Sequence, residues 1–367
     1  MAILVRDYHP DESSRIRRLL FEHGFTHLTD DIIFSWQFHE LGEPVIKVAV
    51  DTSSNEIIGH YGLMPFPFVL NRRVYAGGKM EGSVVHEDYR SHTISRMHPE
   101  LHGVRIFPLL ISEMGKTIKE RGLDLVFGFP NEMASKSQLS YFRDFSFHAS
   151  NFIKILDYRN ILKNRFSIHN PFLLSLASSL LGLYLDRRQP MKTNNPGMEL
   201  REDIPSEPSA LLGDFLEKVH IISADRNPRF LSWRYMDNPA KAYRSICARD
   251  ATGHPVGCLV YSLRTQGADT HAEISDIQCD LEDEGVLTRL LSRVIQALTE
   301  EKVISVSFFM NRSRKLKTLR SAFRHLGFVE RKVRQNAFLY ISDHLRSQAD
   351  FIYDTNNWYI TSLFKQY

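Results

Sequence analysis

The sequence predicts an α/β (α+β) protein made of two tandem domains, each built on a mixed sheet. Three observations carry this. Strand-like and helix-like segments alternate along the chain. The order of segments restarts after residue 208. At 367 residues the chain is long enough for two hydrophobic cores. The expected boundaries are 1–158 for the first domain, 159–208 for a linker with a short apolar helix, and 209–367 for the second domain.

Leu4 and Val5 open a short strand, and Asp11 or Ser13 caps a helix running to Glu22. Gly24 ends it, and a second helix covers Asp31 to Phe38. Val45–Val50 and Ile57–Met64 read as a hairpin across a polar turn, followed by Phe66–Leu70 and a turn at Asn71-Arg72-Arg73. The central device runs from Gly82 to Phe147. It comprises a strand (Gly82–His86), a basic loop (Asp88–Arg105), an amphipathic helix (Ile106–Arg121), an apolar strand (Leu123–Phe129), a Pro130-Asn131 turn and a helix ending at Phe147. A strand delivering a basic loop to a helix N-terminus is an anion-binding geometry, because unpaired N–H groups and the helix dipole face the loop. Phe152–Tyr158 is expected to close the first sheet.

After the linker come helices at Ser209–Val219 and Pro228–Tyr235, then a hairpin of Tyr243–Arg249 with Val256–Leu263. A strand at Ala272–Cys279, a helix at Val286–Glu300, a strand at Val303–Phe309, a helix at Arg314–His325 and a strand at Ala337–Ile341 follow. Trp358–Phe364 is read as an extra strand.

The two halves match in order. Trp36-Gln37-Phe38 answers Trp233-Arg234-Tyr235 at an offset of 197, and Ile58-Gly59 answers Val256-Gly257 at 198. The helix stripe Phe107, Leu110, Ile111, Met114, Ile118 answers Leu287, Leu290, Leu291, Val294, Leu298 at 180. Asn131 answers Asn311 at 180, and Phe142–Phe147 answers Phe323–Phe328 at 181. Five ordered matches indicate internal duplication. Val85 to Phe107 spans 22 residues where Ile277 to Leu287 spans 10, so the first copy carries a loop 12 residues longer.

Composition narrows the function classes. A net charge of +3 gives no global bias toward nucleic acid or membrane, so nucleic acid is not an expected partner. Three cysteines without motif spacing argue against a disulfide scaffold, and the first residues are too charged for a signal peptide. The expected location is cytoplasmic. The longest apolar run, Phe172–Leu185, has 14 residues with three serines and a glycine, below the roughly 20 needed for a transmembrane segment. It reads as a helix packed between domains; the sharper alternative is peripheral membrane contact through 172–185.

The segment order resembles the GNAT superfamily of N-acetyltransferases, and two copies resemble its tandem members among bacterial surface-polysaccharide enzymes. The residues that carry the resemblance are Val85-His86-Glu87-Asp88-Tyr89-Arg90, Gly128-Phe129-Pro130-Asn131 and Phe230-Leu231-Ser232-Trp233-Arg234-Tyr235. It implies acetyl-CoA or another acyl-CoA as donor, no metal, and a small-molecule amine acceptor, with a nucleotide-linked amino sugar as one class. It implies a donor site formed by Val84, Val85, Arg90, Ser91, His92, Arg105, Ile106, Phe107 and Asn131. The superfamily's phosphate loop has the form Arg/Gln-x-x-Gly-x-Gly/Ala. Here Arg90-Ser91-His92 begins it, but Arg105 stands where the first Gly belongs, and a side chain there obstructs close backbone approach. Either the insertion folds aside and Ser91, His92 and Arg105 hold the phosphates, or the pocket takes a different donor or none. The second copy leads into its helix through Asp280–Gly285, acidic residues that repel a pyrophosphate, and is read as degenerate.

Direct attack of an amine on a thioester needs a base, an oxyanion donor and an acid. Glu81 and His86 are the candidate bases, and a backbone N–H near Val84 or Val85 is the oxyanion donor implied by the resemblance. The superfamily's acid is often a Tyr on the last helix; that position is Phe142 here, with Tyr141 about 100° round the helix. Glu81, His86 and Tyr141 are each also readable as surface or packing residues, and Asn131 as a helix cap. His92, His98 and His102 lack a completing ligand for a metal, so no metal site is expected. The basic segment from Arg312 to Arg334 reads as a solvated face, or else as a site for a nucleotide-sugar or tRNA. Two rival functions remain: an aminoacyl-tRNA-dependent peptidyl transferase of the FemABX type, and a non-catalytic binding protein with decayed lobes.

Overall fold

In the computed structural model the described residues are 2–90, 93, 101–159, 162–163, 170–185, 199–201, 208–267 and 269–365. The first half contains β1 (Ile3–Asp7), α1 (Ser13–Glu22), α2 (Asp31–Phe38), β2 (Val45–Asp51), β3 (Glu56–Pro65), β4 (Phe68–Leu70), β5 (Arg73–Tyr75) and β6 (Gly77–Val85). It continues with α3 (Ile106–Glu120), β7 (Leu125–Gly128), α4 (Glu132–Leu139), β8 (Arg143–Asp144) and β9 (Phe147–Ile155). Next come α5 (Pro171–Leu185), β10 (Glu199–Arg201), α6 (Pro208–Lys218), β11 (Ile222–Ala224), α7 (Pro228–Leu231), β12 (Tyr243–Arg249), β13 (Pro255–Gln266) and β14 (Asp269–Cys279). The chain ends with α8 (Glu284–Glu300), β15 (Ser305–Asn311), α9 (Lys317–His325), β16 (Val329–Gln335), β17 (Phe338–Ile341), α10 (Ala349–Tyr353) and β18 (Trp358–Tyr359).

Two seven-stranded sheets share one plan. Their orders are β1-β2-β3-β6-β7-β17-β8 and β10-β12-β13-β14-β15-β9-β16. In each, an antiparallel hairpin leads to a long strand whose next neighbour, β7 or β15, is parallel. A helix, α3 or α8, makes each crossover, as parallel pairing requires. The repeat glycines explain how close those helices come. A Cβ on Gly59 would lie 3.0 Å from Leu110, and one on Gly257 3.0 Å from Leu290. Leu110 and Leu290 are the paired stripe positions of the duplicated helix.

The two halves exchange a strand. β9 lies between β15 and β16, with Phe152 opposite Phe308. β17 lies between β7 and β8, with Phe338 opposite Gly128. The expectation that Phe152–Tyr158 closes the first sheet is therefore corrected: β9 is hydrogen-bonded into the second. Its connection to β8 crosses over instead of folding back. At the crossing, the Phe145 N–H donates to the Ala337 carbonyl (2.9 Å) and the Ala337 N–H to the Ser146 hydroxyl (3.3 Å). The helix expected to end at Phe147 stops at Leu139, since Arg143 and Asp144 already pair with β17. The central strand begins at Gly77, earlier than the Gly82 expected.

In the first half α1 and α2 pack with Ile46, Val48, Val50 and Val84 on one face of the sheet. α3 packs with Val45, Ala49, Tyr61 and Leu63 on the other. A third sheet, β18-β11-β4-β5, and an aromatic cluster that includes Trp36, Phe66, Phe127, Trp233, Trp358 and Phe364 join residues of both halves. No helix among the described residues is long and apolar enough to cross a membrane.

Candidate active site

The parallel register of β6 with β7 runs from Gly77–Leu125 to Lys79–Phe127 and then stops, although β6 continues to Val85. A bulge separates them. Against β3, pairing jumps from His60–Val84 to Gly62–Glu81, so Gly82 and Ser83 together oppose Tyr61. Gly82 takes φ +63°, and a Cβ there would meet the His60 ring at 2.9 Å, which makes glycine the residue that fits. His60 is fully buried, and its Nδ1–H donates to the Gly82 carbonyl (2.6 Å), pinning the bulge from behind.

Beyond the bulge lies a cavity of about 360 Å³. Seven of the residues expected at the donor site line it: Val84, Val85, Arg90, Arg105, Ile106, Phe107 and Asn131. Arg90 is anchored by its Nε–H on the Val85 carbonyl (3.1 Å). Arg105 is the exposed N-cap of α3 and makes no side-chain cap bond there. Pro108 in the first helical turn has no N–H, so the orphan donors at this end belong to Ile106 and Phe107. Asn131 caps α4, its Oδ1 accepting from the Ala134 N–H (2.8 Å). Cap and cavity lining are thus the same residue. Ser91, His92 and His98 lie outside the described residues.

The proposed acid–base residues fall elsewhere. Glu81 is ion-paired with the buried Lys79 and is not among the cavity-lining residues. His86 accepts from the Asp88 N–H (3.4 Å) and faces a neighbouring depression beside Arg15, Glu22 and Asp88. Tyr141 is 48 % exposed and lines a separate cavity with Lys116, Lys119, Arg143 and Tyr353.

Sequence reasoning missed His23. It closes α1, where Gly24 takes φ +88° and terminates the helix, and its ring lines the cavity. Among the described residues neither ring nitrogen has a hydrogen-bond partner. Burial, then the charges of Arg90 and His86, lower its pKa below the ordinary histidine value. No periodic pattern marks a residue just past a helix end; the His-Gly-Phe break was the only local signal. Tyr89 also lines the cavity, with its hydroxyl donated to Asp51 (2.9 Å) and its pKa raised by burial and that carboxylate.

The second sheet splays at the corresponding place, where β14–β15 pairing ends at Ile274–Phe308. There the C-terminal tail fills the opening. The Tyr359 hydroxyl donates to the Ile277 carbonyl (2.9 Å). Asn311, the counterpart of Asn131, accepts from the Ile360 N–H (3.0 Å) and donates to the Trp358 carbonyl (2.8 Å). Thr361 donates to Asp276 (3.2 Å), which also takes two bonds from the buried Arg226. Asp283, in the acidic loop, caps α8.

Part of the basic segment is internally compensated. Arg312, Arg320 and Arg324 converge on Glu330. Burial raises that carboxyl, but the Ser150 hydroxyl and the arginines outweigh it and hold the pKa at about 2. Among the described residues no group of three or more His, Cys, Asp or Glu is placed to hold a metal ion.

No protein-family profile matches the chain, and no curated protein matches it in sequence. Solved structures do match. One is a conserved protein of Enterococcus faecalis V583 described as a probable N-acyltransferase: TM-score 0.61, 11% identity, 93% of this chain and 73% of that one covered. Another is a GCN5-related N-acetyltransferase from Anabaena variabilis, at TM-score 0.58 and 10% identity, with 93% and 73% covered. A third is N-myristoyltransferase of Saccharomyces cerevisiae with bound myristoyl-CoA, at TM-score 0.53 and 10% identity, with 92% and 82% covered. The chain has the GNAT fold. Within that GNAT fold, the first sheet opens onto a cavity with two arginines, and the second is closed by its own tail.

Proposed function

We propose that the chain is an N-acyltransferase whose first lobe takes an acyl group, acetyl in the simplest case, from acyl-CoA and passes it to an amine. The observation that carries this reading is the open end of β6. There Arg90, Arg105 and the N-terminus of α3 converge on one cavity beside a bulged strand. The fit to an acyl-CoA rests on those two guanidinium groups and the orphan N–H groups of Ile106 and Phe107, a donor set for phosphate oxygens. Arg105 replaces backbone approach with charge. The coenzyme supplies an activated thioester carbonyl. The chain's residues hold and orient it, and the backbone N–H groups around Val84 and Val85 are the proposed oxyanion donors.

The base that takes the proton from the amine is, in this reading, His23. Burial lowers its pKa and so favours the neutral ring, and among the described residues its ring nitrogens have no hydrogen-bond partner. The amine nitrogen forms the new bond to the acyl carbon, its proton passes to His23, and the carbon–sulfur bond breaks with its electron pair going to sulfur, so that coenzyme A leaves as the thiolate and takes a proton from solvent. The second lobe holds no donor in this proposal, since Tyr359 and Ile360 occupy its cleft; it walls the acceptor side. A nucleotide-linked amino sugar is the proposed acceptor class.

Thermal melting of the full chain with millimolar acetyl-CoA tests the reading. A ligand at 100 times its Kd stabilises the folded state by about 2.7 kcal/mol, so a rise in Tm that grows with concentration is expected. A cooperative melt that does not move would reject acetyl-CoA as donor.

A further inference from the structure

Helix α5 turns four of its large apolar side chains outward. Phe172 is 75% exposed, Leu173 53%, Leu176 49% and Leu180 58%. At 100° per residue these four fall within one face of the helix. The opposite face, toward the body of the protein, carries Leu174, Ala177 and Ser178, and of these only Leu174 is buried. Ser175 and Ser178 border a shallow groove with Leu156, Thr299, Lys302 and Val303, which fixes which side faces the protein. A helix in a globular protein ordinarily buries its apolar stripe and exposes its polar one. α5 instead leaves four large apolar side chains exposed.

Charge decides what covers that face. Pro171–Leu185 contains no ionisable carboxylate or cation, while the chain on either side is basic. Arg159, Lys163 and Arg165 precede it, and Arg187, Arg188 and Lys192 follow, against Asp157 and Asp186. Lys302 is exposed across the groove. A second copy of the chain laid face to face would bring two basic sets together, which like-charge repulsion opposes. A bilayer with anionic headgroups accommodates both features, taking the leucines below the headgroups and the cations at the phosphates. The helix has 15 residues, so it cannot cross a hydrocarbon core of about 30 Å and would lie flat. We propose that α5 docks the protein on an anionic lipid surface, with Phe172, Leu173, Leu176 and Leu180 inserted between the lipids.

Flotation of the full chain with vesicles tests this without reference to acyl transfer. Two compositions are compared: phosphatidylcholine alone, and phosphatidylcholine with phosphatidylglycerol. Binding to the anionic vesicles is expected, about tenfold or more weaker on the neutral ones. The double variant Leu176→Asn, Leu180→Asn should reduce binding about tenfold or more with an unchanged Tm, because both side chains are already exposed. Arg187→Glu with Arg188→Glu, which leaves the helix intact, should abolish the preference for anionic lipid. The proposal fails if neither vesicle binds, or if the Leu176, Leu180 variant floats as well as the parent. It fails equally if the parent is a dimer in solution that the same variant dissociates while vesicles bind neither protein.

Discussion

Trp36 and Trp233 hydrogen-bond to each other reciprocally. Each indole N–H donates to the other's backbone carbonyl, at 2.9 and 2.8 Å, and the rings stack 4.8 Å apart. These are the two tryptophans matched at an offset of 197, so the repeat meets itself at a local two-fold axis. Replacing either by Phe removes one indole N–H and the bond it donates, at about 1 kcal/mol in denaturant unfolding. The double variant should cost less than the sum of the singles, because the two residues share one contact. Additive losses would mean that the pair is not coupled.

Arg90 and Arg105 should differ in what they do for acetyl-CoA. Arg105→Ala removes an exposed guanidinium that has no cap bond, so the ligand-induced shift in Tm should shrink while the unliganded Tm stays put. Arg90→Ala also releases the Val85 carbonyl and should lower both. Titration calorimetry is the check. If Arg105→Ala binds as well as or better than the parent, Arg105 obstructs the cradle instead of completing it.

Stability should fall on acidification through a defined window. His60 is fully buried and its pKa is lowered to about 4 by burial, opposed only in part by the Gly82 carbonyl. An unfolded chain protonates the same ring near 6.5. Between those values the unfolded state binds more protons, so the contribution is intact above about pH 6.5 and lost as pH falls toward 4, on the order of 3 kcal/mol. His23, His27 and His39 are lowered by burial as well and add to the same slope. His60→Asn keeps a donor near Gly82 but does not titrate. Its unfolding free energy should vary less with pH than the parent's over that window.

The strand exchange predicts that the halves do not fold separately. A fragment ending at residue 158 carries β9 without β15 and β16, and its own sheet lacks β17. Each fragment alone should aggregate, because an apolar strand and an open edge are both exposed. Co-expression of 1–158 with 159–367 should yield a soluble complex with the helix content of the whole chain. Two soluble monomers on size exclusion would overturn this.

Much of this was legible in the sequence, for identifiable reasons. Helical periodicity marked the stripe from Phe107 to Ile118, and the repeat matched Gly59 with Gly257 and Leu110 with Leu290, which the fold then brings together in each half. Seven of the residues expected at a donor site line one cavity because strand end, helix start and turn are all local signals. The strand partners were not. Alternation shows which face of a strand is buried, not which neighbour it takes, so nothing local distinguished β9 closing the first sheet from β9 entering the second. Tyr141 was exposed to a different error. The helix ends at Leu139, so residue 141 has no helical position, and it is Gln138, not Tyr141, that reaches inward to bond the Tyr61 hydroxyl (3.2 Å). The tail was opaque because Tyr359 finds Ile277 across 82 residues of chain.

A lobe that, in the reading proposed above, holds no donor would ordinarily be free to erode or to be deleted. Here deletion would also strip the open cleft of β17, whose Phe338 stacks on Phe142 at 4.8 Å and lies against Gly128. The two halves are tied together by the strand that one lends the other. A requirement at the first cleft therefore constrains residues more than two hundred positions along the chain.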